Sequence, residues 1–562
     1  MNHWAVIRRG LAMLGIALLV VICGYPLAFL VTHGLDPAGW PEALETPKDW
    51  FDALAHGDLS VLFNTYAYMV HGTCPALARG GFPHVFAMAV GLMIVSPFVV
   101  LGGKRVDPAR SSSSIYGSTD WASKAELARL SKGIEIGFDP ATKRRVRISV
   151  EGNLLTIAPP RSGKTSGFIL PNLTYPEPEA WSGPAVVIDP KGDAYTATKR
   201  RLEAMGKRVR CLDPLGLVGG KDRWNPLARV DSADVLYMQS VARALLPTEK
   251  QPSTSGAYFT NNAVDLIVGA MLVTISNGRP DFVEAAALLA DRSKFHALLS
   301  KSTDPAAIAA LNILDMEEKG RDAIVSTAQQ ATQWLRDKRM RSVVQAHTFE
   351  MTDLLDGNTY LFVVPPADNR KYILAPYLRW LLADLFAAFR SGPKAERLVV
   401  FIDEANVLGN FSTLLEGAGE LPGYGISLWT FWQTRHQIIE TYGEAGARVF
   451  LGTAEVTNVF QLPRNDPEET EYWSNAIGEF TGHSKSSGQD RQTGKGTETT
   501  GLQALRLVPR TDLPEFLNKY QVVLLNGKKL PTSPLKLGRT QAHEDRRFTG
   551  LIDPVAPVGP IA

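Results

Sequence analysis

The chain has 562 residues, 45% of them hydrophobic, enough for more than one packed domain. Its 59 Lys and Arg nearly balance 57 Asp and Glu, giving a formal net charge of +2, so no bulk charge marks a nucleic-acid binder, although local patches can still serve one. Cys23, Cys74 and Cys211 lie far apart without C-x-x-C spacing and suggest neither a zinc site nor a disulfide framework.

Two apolar runs open the chain. Leu11 to about Val31 (LAMLGIALLVVICGYPLAFLV) has the length a bilayer-spanning helix needs, about 20 residues, and follows Arg8 and Arg9. Val85 to about Leu101 (VFAMAVGLMIVSPFVVL) precedes Lys104, Arg105 and Arg110. The loop between them carries Asp36, Glu42, Glu45, Asp49, Asp52 and Asp58. Basic flanks around an acidic loop predict an inner-membrane, multi-pass anchor with both termini and the following domain cytoplasmic. The spans are expected at about 10–32 and 85–103, within an anchor of 1–110 that includes the periplasmic loop. A cleaved signal peptide would have a shorter apolar core and a small-residue cleavage site. The second run could also be a buried core helix.

After a polar linker from Ser111, strands and helices alternate. NLLTIA from Asn153 leads to PPRSGKTS and a helix; AVVI (Ala185–Ile188) leads to DPKGD; RVRCL leads to Asp213. This alternation predicts a parallel sheet with helices on its faces. From about Asp231 to Gln345 strand signal nearly vanishes and Ala, Leu and charged residues dominate, predicting an all-α insertion with its clearest part after about Met271. Strand signals return at Tyr360–Val364, Leu398–Ile402 and Ile426–Trp432. The Gly/Ser/Thr-rich stretch His483–Gly501 reads as a mobile loop, and the Pro-rich end after about Arg547 as loosely ordered. The expected division is 111–270 and 331–540 for the two parts of a nucleotide-binding domain, 271–330 for the insertion and 541–562 for a flexible tail.

The segment Ala158-Pro159-Pro160-Arg161-Ser162-Gly163-Lys164-Thr165, followed by Ser166, has the form of a phosphate-binding loop. A strand delivers the chain to a tight turn and a helix begins within it, so backbone N–H groups converge on phosphate oxygens. Gly163 permits close approach of the backbone, Lys164 reaches the β- and γ-phosphates of ATP, and the Thr165 hydroxyl binds Mg²⁺. Ala158 stands where the pattern G-x-x-x-x-G-K-[ST] has its first glycine. An ordinary surface turn could contain the same short string, but the flanking strand and helix argue for the loop.

The run LVVFI delivers Asp403 and Glu404 to the end of a buried strand, where such a site needs carboxylates. Asp403 is the expected Mg²⁺ holder, and Glu404 the base that activates water. Gln433, after LWTFW, can sense the γ-phosphate or orient water. Lys164, Glu404 and Gln433 are therefore the expected catalytic residues, and Thr165 and Asp403 the metal ligands. One of Arg435, Arg448 and Arg464 could act in trans as an arginine finger. Asp189–Asp193 could lie near the nucleotide or an adjoining subunit, or be a plain turn.

These features resemble the type IV secretion coupling proteins, the TraG-like conjugative coupling ATPases. The similarity rests on an ordered set: the two N-terminal apolar runs, GSTDWA at Gly117, APPRSGKTSG at Ala158, DPKGD at Asp189, LDPLG at Leu212, WNPL at Trp224, FIDEANVLG at Phe401, GYGISL at Gly423 and Trp432–Gln433. The resemblance implies a RecA-like α/β domain interrupted by an all-α domain and a homo-hexamer with ATP at subunit interfaces. It also implies recruitment of relaxosome (relaxase–DNA) or effector protein substrates to a type IV secretion channel, with transfer driven by ATP hydrolysis. Leu421-Pro422-Gly423-Tyr424 lacks an arginine that some DNA-pumping relatives carry nearby, which leaves the finger unplaced.

Single-stranded DNA would meet basic residues through salt-sensitive phosphate contacts. Candidates are Lys143, Arg144 and Arg145, and the run Arg336, Lys338, Arg339 and Arg341. The helical insertion is the expected reader of protein signals. Two other functions are compatible with a nucleotide site: a membrane receptor that docks substrates under a nucleotide switch, and a P-loop kinase. The paired Asp403 and Glu404 favour hydrolysis over transfer to an acceptor.

Overall fold

The computed structural model describes residues 3–42, 44–71, 110–174, 177–246, 254–366, 370–489 and 496–555. The chain divides into two units, Met1–Ala109 and Arg110–Ala562.

In the first unit the expected first span lies within one continuous helix, His3–His33, which carries Pro26. The next helix, Pro47–Ala55, starts from a capping box in which Thr46 and Asp49 satisfy each other's backbone N–H groups. A third helix spans Ser60–His71. Tyr25, Phe29, Trp50 and Val61 form a small buried core, and the Trp50 indole donates to the Ile22 carbonyl at 2.9 Å. Leu18, Leu19, Leu27 and Val31 are exposed on the long helix. The second expected span, 85–103, lies outside the described residues. Among those described, the helix that meets both the length and the apolarity for crossing a membrane is Gly256–Ser276, mean hydropathy 1.4. It is 61% buried and is the central helix of the all-α segment, so its apolarity serves a protein core.

The second unit is built on one sheet. Its strands are β1 (Ile134–Phe138), β2 (Arg145–Ile148), β3 (Asn153–Ile157), β4 (Ala185–Ile188), β5 (Arg208–Leu212), β6 (Thr359–Val363), β7 (Leu398–Ile402), β8 (Ile426–Trp432), β9 (Ala454–Val459), β10 (Glu479–Gln489), β11 (Gly496–Arg506), β12 (Gln521–Leu525) and β13 (Leu535–Leu537). Among the described residues nine of these form the order β13-β12-β9-β3-β8-β7-β4-β6-β5. From β9 to β5 the pairing is parallel; β12 and β13 add antiparallel at one edge. Strands β4, β6, β7 and β8 are buried along their whole length, which is why β4 and β7 read as unbroken apolar runs and β6 and β8 as largely apolar ones rather than as an alternation. Alternate side chains feed two cores. Leu155, Ile157, Val186, Ile188, Val400 and Ile402 face the helical segment; Leu154, Val187, Val399 and Phe401 face β1, β2 and the helices Leu170–Thr174 and Asp193–Ala204.

Between β5 and β6 the described elements from Val235 to Gln345 are all helices, over the stretch where strand signal vanishes in the sequence and beyond the 271–330 given for its clearest part. The hub is Thr254–Ser276, whose run of β-branched and apolar residues suits a buried helix as well as a strand and blurred the boundary. Aspartates punctuate this segment: Asp281, Asp291, Asp304 and Asp337 each accept a backbone N–H at a helix start.

Three expectations are corrected. The stretch expected as a mobile loop over His483–Gly501 is mostly β-hairpin: β10 pairs antiparallel with β11 from Glu479↔Arg506 to Gln489↔Gly496. Its threonines suit strands, whereas the count of Gly and Ser points to a loop. The expected tail from 541 packs instead, as far as 555: Ala542 and Phe548 are buried, and Arg547 pairs with Glu135 at 2.8 Å and Asp545 at 3.0 Å. The basic cluster at 143–147 is only half available. Arg145 pairs with Asp545 at 2.7 Å, and buried Arg147 pairs with Glu135 and Glu177, whereas Lys143 and Arg144 remain exposed. In the second basic run all four residues are exposed, but Arg339 pairs with Asp337 at 2.6 Å and Arg341 donates to the Leu335 carbonyl.

Candidate active site

Strand β3 ends at Ile157, and the Ala158 N–H pairs with the Trp432 carbonyl at the end of β8. Ala158 is fully buried, and left-handed backbone in the loop falls on Arg161 (φ 59°) and Gly163 (φ 83°). The alanine at the first loop position therefore meets no backbone strain, and the glycine that is needed is Gly163. A Cβ there would also come within 2.9 Å of the Gln541 amide oxygen.

The helix after the loop begins as one wide π turn, Thr165–Ile169, before continuing as Leu170–Thr174. Pro171 accounts for this. It has no N–H to offer the preceding turn, so the register widens, and the Leu170 N–H bonds to Thr165 O. The Ser166 carbonyl, left without a helical donor, takes the Ala542 N–H at 3.0 Å.

A cavity of about 420 Å³ opens at the C-terminal ends of β3, β8, β7 and β4. Pro160, Arg161, Ser162, Gly163, Lys164, Thr165 and Ser166 line it together with Asp403, Glu404 and Gln433. Ala158 and Pro159 do not; their carbonyls instead hold the Lys164 ammonium at 2.9 and 3.1 Å. Because β8 lies between β3 and β7, Gln433 stands between the loop and the carboxylates. Its N–H bonds to the Gln437 side chain at 2.9 Å. Burial lowers the Lys164 pKa, opposed by Asp403 and Glu404 and reinforced by Lys191.

The Thr165 hydroxyl donates to Asp403 Oδ2 at 3.2 Å. Asp403 Oδ1, Ser162 Oγ and Ser166 Oγ are buried and have no hydrogen-bond partner. Buried polar atoms are rarely left so, and these fit a site shaped for a divalent cation and phosphate oxygens. Burial, then the nearby Asp189 charge, pushes Asp403 up to about 7, against the pull of Lys164 and Thr165.

This carboxyl binds its proton more tightly in the folded chain than in the unfolded one. The stability it contributes is complete below about pH 4, and is lost as pH rises to about 7. In the ligand-free protein, Asp403→Asn is therefore expected to raise the urea midpoint at pH 7, with the gain shrinking toward about pH 4. A gain that stayed constant with pH would rule out ionisation of Asp403 as its source.

Lys191 and Asp193 of the DPKGD segment also reach the cavity wall. Asp189 lies buried beneath them and accepts from Lys191 N at 3.0 Å and Ala194 N at 2.8 Å. The left-handed Gly192 (φ 72°) makes that turn, and a Cβ there would meet Val218 at 2.3 Å. Of the candidate finger residues, Arg435 lies over the Tyr472 ring at 4.3 Å and 3.9 Å from buried Glu469. Arg448 and Arg464 are exposed.

Sequence reasoning missed Leu170, Phe431, Gln437, His543 and Val555, which also line the cavity. Gln437 was findable, one helical turn beyond Gln433 in QTRHQ. His543 and Val555 carry no local signal, because only long-range packing brings them here.

Comparison with known proteins gives one consistent result. The family model described as type IV secretory system conjugative DNA transfer matches residues 132–555. The type IV secretion system-coupling protein VirD4 of Bartonella henselae is 24% identical over 524 residues, covering 81% of this chain and 77% of that protein. The conjugal transfer protein TraG of Escherichia coli is 26% identical over 463 residues, covering 72% and 71%. The solved structure of the plasmid coupling protein TrwB in complex with ADP and Mg²⁺ superposes with a TM-score of 0.58 at 17% identity, over 79% of this chain and 98% of that one. At that identity the likeness speaks to the fold.

Proposed function

The chain belongs to the type IV secretory system conjugative DNA transfer family of coupling proteins, and from that premise we propose that it is a membrane-anchored ATPase that energises substrate transfer. The observation that carries this reading is the meeting, in one cavity, of Lys164, the Thr165–Asp403 pair and buried polar atoms without partners. TrwB, with which the fold is shared, has been solved with ADP and Mg²⁺ and with ATP analogues, and this supports ATP and Mg²⁺ as the ligands here.

In this reading the loop from Pro160 to Ser166 cradles the phosphates with backbone N–H groups and the Ser162 and Ser166 hydroxyls. Lys164 leaves the Ala158 and Pro159 carbonyls for the phosphate oxygens. Thr165 and Asp403 hold Mg²⁺, which would offset negative charge on those oxygens. Glu404 takes the proton of the attacking water, and Gln433 orients that water against the γ-phosphate. Arg435, Arg448 or Arg464 of a neighbouring subunit could complete the site in a homo-hexamer. The helix His3–His33 and the 85–103 segment form a two-span inner-membrane anchor with the ATPase unit cytoplasmic, and the helical segment 235–345 reads relaxosome or effector substrates for the secretion channel. Among the basic residues proposed for single-stranded DNA, exposed Lys143, Arg144, Arg336 and Lys338 are favoured over their ion-paired neighbours.

The test is phosphate release by the full chain in lipid nanodiscs, with and without Mg²⁺ and single-stranded DNA. Mg²⁺-dependent hydrolysis that DNA accelerates is the expected result. ATP binding without turnover under every condition would displace the motor in favour of a nucleotide-switched docking receptor.

A further inference from the structure

Phosphate and metal binding do not account for every wall of the cavity. His543 and Val555 line it as well, and both come from the C-terminal segment 538–555. This segment is a strap fixed along its length. It starts against β1, where Gly538 exchanges two backbone hydrogen bonds with Phe138. The Thr540 hydroxyl donates to Glu135 Oε1 at 2.8 Å, and Ala542 N–H occupies the Ser166 carbonyl that Pro171 leaves open. Arg547 then anchors it to Glu135, and Phe548 is fully buried. It ends on the helix Asp193–Ala204, where the Asp553 N–H bonds to Ala197 O at 2.9 Å and its carboxylate pairs with Arg200 at 2.8 Å.

The strap thus crosses the start of the phosphate-loop helix and presents two side chains to the cavity. Neither suits the phosphate end. Val555 is an alkyl group, and His543 is exposed beside the cavity, where it offers a flat ring. A flat imidazole and a branched alkyl group suit a heteroaromatic base and its sugar. The loop, Asp403, Glu404 and Gln433 take the triphosphate, so the part of a nucleotide left to meet the strap is the ribose and base.

We propose that the C-terminal strap builds the ribose-and-base end of the nucleotide site, with His543 stacking on the base, Val555 packing beside it and the Gln541 amide lying over Gly163 of the loop. This rests on the reading that the loop binds nucleotide phosphates.

The experiment is calorimetric titration of the full chain in nanodiscs with Mg·ATP and, separately, with Mg·tripolyphosphate, which has the phosphates and no base. His543→Ala is expected to weaken ATP binding about tenfold, the scale of one lost base–aromatic stack, and to leave tripolyphosphate binding within about twofold. His543→Phe, which keeps a flat ring, is expected to restore ATP binding. Val555→Ala should follow His543→Ala in direction. Unchanged thermal midpoints without ligand would show that the exposed His543 is replaced without loss of fold. Equal weakening of both ligands, no weakening of either, or failure of the Phe variant to restore ATP would overturn the proposal. A Lys164→Ala control run alongside separates the two readings: if it leaves tripolyphosphate binding intact, the phosphate end itself is wrongly placed.

Discussion

Lys164→Ala is expected to abolish ATP hydrolysis and to weaken ATP binding by at least about a hundredfold. The ammonium is largely buried among the Ala158 and Pro159 carbonyls, with Asp403 and Glu404 as its nearest opposite charges and Lys191 as a like one. A cation held in so little water interacts with phosphate far more strongly than a surface lysine does. Its loss leaves the carboxylates without their main counter-charge and brings repulsion against an incoming polyphosphate. Lys191, on the cavity wall, keeps some positive charge nearby, so a trace of binding can survive without turnover. Equilibrium binding of a fluorescent ATP analogue, read beside phosphate release, checks both halves. Retained turnover would move the catalytic site away from this loop.

Glu404→Gln is expected to separate binding from chemistry. The side chain keeps its shape and loses its basicity, so ATP should bind within about threefold of the wild type, while turnover falls by about a hundredfold to a thousandfold, the range for loss of a general base. Asp403 sets the contrast. It accepts from the Thr165 hydroxyl and keeps a buried Oδ1 without a partner, as a metal holder should, whereas Glu404 follows it at the strand end; both line the cavity. Single-turnover release of labelled phosphate, with binding measured on the same preparation, distinguishes the roles. A Glu404→Gln chain that hydrolyses ATP at the wild-type rate would leave Gln433 or another cavity-lining group to handle the proton.

The parts of this site that can be read from sequence are those in which a buried strand ends in functional residues. Asn153–Ile157 before the loop, Leu398–Ile402 before Asp403 and Ile426–Trp432 before Gln433 are each dominated by apolar residues, unbroken in Leu398–Ile402, and each is a fully buried parallel strand. Residues whose role depends on distant packing gave no such signal. Strand β9 follows directly on the helix Arg435–Thr453 and β13 has three residues, and the strap residues His543 and Val555 sit in polar, Pro-rich sequence that composition assigns to a loose tail. Charge counts misled for a related reason. Arg145 and Arg147 look like part of a surface for polyanions until Asp545, 400 residues from Arg145, and Glu135 and Glu177 take them up. Partners distant along the chain turn an apparent surface into an interior network.

The pairing of the Ser166 carbonyl with the Ala542 N–H has a consequence for biosynthesis. The strand that delivers the phosphate loop, β3, lies between β8 and β9, and buried Thr156 and Asn458, hydrogen-bonded at 3.3 Å, are 302 residues apart in sequence. The loop's helix waits longer still, for the Ala542 N–H. A ribosome that has made the P-loop must extend the chain to Asn458, and then to Ala542, before these closures can form, and such long-range closures are slow. Assembly of the nucleotide pocket thus lags far behind synthesis of its own loop, and chains that terminate before Asn458 are left with the phosphate loop exposed on an unclosed sheet, a form recognisable to cellular quality control by its bare strand edges.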